Sequence, residues 1–274
     1  MSRFILEIRT GSNHGPVSSF VSRGNLTKLN PFVLWDHFYI SGADNTAGFG
    51  FHGHSGVATI SYPLISSIKH EDTGGHTGHL LSGGIQVMSA GGGVLHKETV
   101  YPDAGKAEAF QLWTLLPAAE DEMGPVTYST AQSDALPEVK SLESRTKVLV
   151  GEHQGVSSPV QHSVAMAYLH VNLKTDSKWQ HQVAKEQTTA FVYLRSGQLT
   201  IGTTQLTAGE MGIFNASDDD IKVRTTNNTA EFLLVTGKPL TQPIISTGPS
   251  VHSSRDNAIL GSRQINKLQM QLTH

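Results

Sequence analysis

The 274-residue sequence contains no cysteine, which excludes disulfides, thiolate metal sites, iron–sulfur clusters and a cysteine nucleophile. Charge is sparse: Asp, Glu, Lys and Arg make up 16% of the chain, with 20 basic against 23 acidic residues and a formal net charge of −3. No basic run is present, so a dedicated nucleic-acid surface is not expected. No apolar stretch approaches the roughly 18–20 residues of a membrane helix, so a membrane partner is not expected either. The opening Met1-Ser2-Arg3-Phe4-Ile5-Leu6-Glu7 carries charge inside its first apolar run and does not read as a secretory signal. Together these features suit a cytoplasmic protein, with the nucleus as an alternative in a eukaryote.

Long helical periodicity is also scarce. Short apolar runs instead recur between Gly, Pro, Asn and Asp, as in Val57–Tyr62, Ile85–Met88 and Phe110–Leu116 and again in Lys147–Val150, Thr189–Leu194 and Glu231–Val235. That punctuation predicts many short antiparallel strands. Residues 118–138 are polar, contain Pro125 and Pro137, and read as the connection between two halves. The expected division is 1–135, 136–240 and a tail at 241–274, with one short helix near 257–268. Tyr62-Pro63-Leu64-Ile65 aligns with Tyr193-Leu194-Arg195-Ser196, and Leu81–Ile85 with Leu206–Glu210. This weak repeat predicts an all-β protein of two like-sized barrels or double-sheet jelly rolls packed together, in which closure removes exposed sheet edges.

Histidine is abundant, at 14 residues, and seven of these (37, 52, 54, 70, 76, 79 and 96) lie within one stretch of the first half. About 0.7 His-x-His pairs and about 0.6 His-x-Glu pairs are expected by chance at this composition, so neither motif is informative alone. Their relation is more informative. Residues i and i+2 of a strand share a face, so His52 and His54 point one way, as do His96 and Glu98. On neighbouring strands these four would converge into a nitrogen- and oxygen-rich set for Fe, Mn, Ni, Co or Cu, with coordination positions left open. Solvated or backbone-bonded histidines are the plainer alternative. His70 and Asp72 form a rival His-x-Asp pair, but nearby glycines place them at a hairpin tip. His37 reads as structural, or as an orienting partner of a ligand imidazole. His76 and His79 read as a loop that could rim a pocket. Trp35 and Trp113 read as core aromatics, though a pocket for a flat substrate would also use them.

Several segments resemble the pirin family. Asn30-Pro31-Phe32…Asp36-His37-Phe38 resembles the opening of its N-terminal cupin, and Phe51-His52-Gly53-His54-Ser55-Gly56 its His-Pro-His-Arg-Gly ligand strand. Met88-Ser89-Ala90-Gly91-Gly92-Gly93-Val94-Leu95-His96-Lys97-Glu98 is similar to its Met-Thr-Ala-Gly-x-Gly segment, and Gly237–Pro249 to its C-terminal signature. These matches run in family order from about residue 30 to 250. The chain departs from the family pattern at Ser55, Val57 and Ala58. The resemblance implies a bicupin with one divalent metal on His52, His54, His96 and Glu98, most often Fe(II), with Ni, Mn, Co, Cu and Zn as alternatives. It also implies similarity to quercetin 2,3-dioxygenases, with a flavonol and O2 as substrates and Glu98 as catalytic base. The alternative it implies is a metal- and redox-responsive regulator that binds a transcription factor or a metabolic enzyme. In the second copy the aligned positions are Val183, Lys185, Ile221 and Val223, which cannot rebuild such a site.

Overall fold

The computed structural model describes residues 3–21, 26–42 and 46–272, and these are overwhelmingly strands with one helix. The first twelve strands are β1 (Ile5–Thr10), β2 (Ser12–His14), β3 (Val17–Val21), β4 (Phe32–Ser41), β5 (Ala47–His54) and β6 (Val57–Pro63), then β7 (Ser66–Asp72), β8 (Thr77–Leu80), β9 (Ile85–Ser89), β10 (Val94–Pro102), β11 (Lys106–Leu115) and β12 (Thr127–Ala131). Two antiparallel sheets form the first cupin. One runs β12-β9-β6-β11-β4-β3-β2 and the other β5-β10-β7-β8. β6 is apolar or small along most of its length and buried throughout, as a central strand covered on both faces must be. Trp35, Tyr62 and Phe110 anchor this region, with the Phe110 ring stacked 5.8 Å from Trp35 and 6.3 Å from Tyr62.

Two compact units divide the chain, and their borders depart from the expected 1–135, 136–240 and 241–274. The first unit holds the described residues of 13–134, 162–164 and 240–272, and the second those of 3–12, 135–161 and 165–239. The N-terminus is therefore reassigned, because β1 pairs antiparallel with Glu210–Phe214 and completes the second sheet system. The tail is reassigned to the first cupin. It returns there through Val251, whose amide donates to the Ser55 carbonyl at 3.2 Å, and through the helix Arg255–Leu272. That helix is longer than expected and starts at Ser254, whose hydroxyl accepts the Asn257 amide at 3.1 Å as an N-cap. Among the described residues no helix is long and apolar enough to cross a membrane.

The second unit has an apolar interior of the same strand type. Val183, Ile221 and Val223 are buried in its core and Lys185 is exposed, so none of these positions carries a metal-binding group.

Candidate metal centre

The site is set by strand register. On β10, His96 pairs with His52 of β5 on one side and with Asp72 of β7 on the other. Glu98 pairs with Phe49 on β5 and with His70 on β7. Two residues of β5, Gly50 and Phe51, thus oppose the single Lys97 of β10 between these pairs, a β-bulge. Within the bulge the Gly50 carbonyl accepts a hydrogen bond from His52 Nδ1 at 2.8 Å. The Pro249 carbonyl accepts one from His54 Nδ1 at 2.7 Å. A carbonyl can only accept, so both Nδ1 atoms carry the proton and both Nε2 atoms present a lone pair.

The three rings meet. Centroids lie 4.3 Å apart for His52–His96, 4.9 Å for His52–His54 and 5.0 Å for His54–His96. One ligand nitrogen from each falls within 4.8 Å of the others. Among the described residues, His54 Nε2 and both ring nitrogens of His96 are buried with no hydrogen-bond partner. Burial lowers the His54 pKa to about 4, with His52 pushing the same way and the Pro249 carbonyl opposing. Burial, then the neighbouring His54, His52 and His70, depress His96 as well. Neutral imidazoles with buried, unused lone pairs fit a cation, and backbone carbonyls holding the opposite nitrogens are the usual support for ligand histidines. The cluster could bind a metal.

Glu98 belongs to a second set of close groups, with His70 and His96. Its Oε1 accepts the Ser61 hydroxyl at 3.0 Å and a short hydrogen bond from the Gln86 amide. Burial raises its pKa, while His70, Ser61, His52 and Gln86 favour the charged form. Gln86 Oε1 in turn accepts the Tyr128 hydroxyl at 2.9 Å.

His70 and Asp72 are not at a solvated hairpin tip. Both are buried, because the turn at Gly74–Gly75 begins only after Asp72 and alternation sends both side chains inward. His70 Nε2 hydrogen-bonds Asp72 Oδ2 at 3.0 Å, and its ring lies 5.5 Å from that of His96. Asp72 also accepts the Gly74 and His76 amides and the His76 ring. Burial alone would lift the Asp72 carboxyl, but these hydrogen bonds hold it below its ordinary value. His76 is therefore a partner of Asp72, and His79 stands in β8 against Ser67 rather than in a loop. His37 is structural, hydrogen-bonded to Glu108 and stacked 4.7 Å from Phe110. Trp35 is core, but Trp113 is half-buried, meets the His54 ring edge-on at 4.7 Å and lines a cavity.

That cavity has a volume of about 850 Å3 and is walled mainly by apolar groups, including Phe38, Phe49, Phe110 and Trp113. His52, His54, His96 and Glu98 all open onto it. Size and lining suit a small organic molecule rather than a polymer.

Comparison with known proteins agrees with this architecture. Residues 15–114 match the family model described as Pirin, and residues 168–260 that described as Pirin C-terminal cupin domain. Pirin-1 of Arabidopsis thaliana is 31% identical across 86% of this chain and 83% of its own length. The pirin of Homo sapiens is 31% identical across 86% and 81%. The crystal structure of a quercetin 2,3-dioxygenase from Acinetobacter baumannii superposes with a TM-score of 0.88 at 25% identity, covering 97% of this chain and 98% of that one. The two β units, their order and these matches make the chain a member of the pirin family.

Proposed function

We propose that this protein holds one divalent transition metal, foremost Fe(II), on His52, His54, His96 and Glu98, and opens quercetin-like flavonols with O2, releasing carbon monoxide. The observation that carries the reading is the convergence of three imidazoles, those of His54 and His96 with buried ring nitrogens that have no partner among the described residues, on a largely apolar cavity. The likeness to a quercetin 2,3-dioxygenase supports the choice of substrate.

The bound metal would supply Lewis acidity toward an enolic oxygen and one-electron chemistry with O2. The chain's own residues account for the rest. The Gly50 and Pro249 carbonyls fix the tautomers of His52 and His54. Glu98, with its pKa raised by burial, is a suitable acceptor for the enol proton of an incoming flavonol. Ser61 and Gln86 stabilise the carboxylate before that transfer and keep it aimed. The aromatic walls exclude water and hold a flat ring system.

Aerobic incubation of the Fe(II)-loaded protein with quercetin tests this reading through the flavonol absorbance. The absorbance is expected to decay with one O2 consumed per flavonol. Glu98→Gln should slow the decay by at least about 100-fold, as loss of a general base does. Tight metal binding with no decay would contradict the enzymatic reading and leave the regulatory one.

A further inference from the structure

Six polar side chains stand in one row across the seven-stranded sheet of the first cupin. Register pairs Ser19 with Asp36, Asp36 with Gln111, Gln111 with Ser61, Ser61 with Gln86, and Gln86 with Thr130. Directly paired residues share a face, so the row lies on the side from which Ser61 and Gln86 reach Glu98. Its middle is fully used. Ser61 and Gln86 serve Glu98, and Ser61 Oγ also lies 2.8 Å from Gln111 Oε1.

The Asp36 end is different. Its carboxyl is hydrogen-bonded to Ser19, yet Oδ1 is buried with no partner among the described residues. Burial raises the pKa of this carboxyl. Asp36 and Gln111 line the same cavity as the three histidines, and their same-face neighbours along the strands, Leu34, Phe38, Ala109 and Trp113, are apolar. His14 also lines this cavity and favours the charged carboxyl, but a buried carboxylate oxygen left without a donor is costly, and a ligand hydroxyl would remove that cost. Two inter-strand spacings, about 10 Å, separate Asp36 from Ser61 beside Glu98. A rigid aromatic compound of two or three rings spans such a distance.

We infer that Asp36 is the distal anchor of the cavity, accepting a phenolic hydroxyl from a flat aromatic compound whose chelating oxygen pair occupies the histidine end. The inference rests on the flavonol reading above and deepens it, because it names the second group by which the cavity selects its substrate. Asp36 is then a specificity determinant that touches the substrate, and Gln111 lies between the two polar ends.

Calorimetric titration of the metal-loaded protein under anaerobic conditions tests this, since binding is read without turnover. Three probes share the chelating pair: 3-hydroxyflavone, 3,4′-dihydroxyflavone and 3,7-dihydroxyflavone. At least one dihydroxy compound should bind about tenfold more tightly than 3-hydroxyflavone, the effect of one hydrogen bond to a charged group. Asp36→Leu should erase that preference and leave 3-hydroxyflavone affinity no weaker, while Asp36→Asn should retain part of it. Equal affinity for all three probes in the wild type, or an undiminished preference in the Asp36 variants, would overturn the role of Asp36 alone. The wild-type comparison and the isosteric Asn variant decide the matter even if the Leu variant folds poorly. Failure of every probe to bind would overturn the flavonol reading and this inference together.

Discussion

Glu98 stands between opposing influences, with burial lifting its pKa and the Ser61 and Gln86 donors favouring its charge. Ser61→Ala should therefore cost about 1 kcal/mol of stability by urea denaturation. It should also weaken metal binding by roughly tenfold, as loss of an outer hydrogen bond to a ligand does. Unchanged metal affinity would contradict the view that these donors hold the carboxylate ready. At this scale the sequence was informative where simple alternation sufficed. His52 with His54 and His96 with Glu98 were legible as same-face pairs because a strand's period of two needs no tertiary knowledge. His70 was not, since its glycine neighbours suggested a tip and only the position of the turn shows that the strand runs through Asp72. Ser61 and Gln86 gave no signal, and Asp36 only as part of a family-like segment, because their roles depend on pairings between strands distant in sequence.

The C-terminal helix illustrates what elements add. Glu122 accepts the His252 ring at 2.9 Å, and His252 Nε2 lies 2.9 Å from the Ser55 hydroxyl, all three side chains being buried. Gly261 of the helix covers this chain of hydrogen bonds. A Cβ there would come within 2.4 Å of Ser55 Oγ and 2.8 Å of His252 Nε2. Alanine is the better helix former by about 1 kcal/mol, yet Gly261→Ala should destabilise the protein by about 1–3 kcal/mol through overpacking. Thermal unfolding checks the sign, and a raised midpoint would show that the helix does not seat on Ser55 and His252. The helix itself was legible from its sequence, and its start at Arg255 is set locally by the Ser254 cap, but its seat was not legible, because it depends on Glu122, far away in the chain. The assignment of β1 to the second unit was equally hidden, since an alternating strand does not reveal which sheet it will join.

Across the whole molecule, a set of buried neutral histidines ties stability to pH. In the second unit His153 and His181 share an Nδ1–Nδ1 hydrogen bond of 3.0 Å, and burial lowers each pKa to about 4, as it does for His54 in the first unit. Below the ordinary histidine value near 6.5 the unfolded chain takes up protons that the folded state resists until about pH 4. Their contribution is therefore fully present above about pH 6.5 and is lost as pH falls toward 4. Urea unfolding of the metal-free protein should show a loss on the order of a few kcal/mol between pH 7 and 5, and a flat profile would contradict this. The bicupin plan was legible because its family motifs run in order, whereas the exchange of termini between units left no local trace.

The central claim, that His52, His54 and His96 converge to hold one divalent ion, is tested most directly by measuring metal content per chain after Fe(II) loading and gel filtration. The account predicts one equivalent for the wild type and for Asp36→Asn, and a near-complete loss for His54→Ala and His96→Ala. Full metal content in either histidine variant would contradict it.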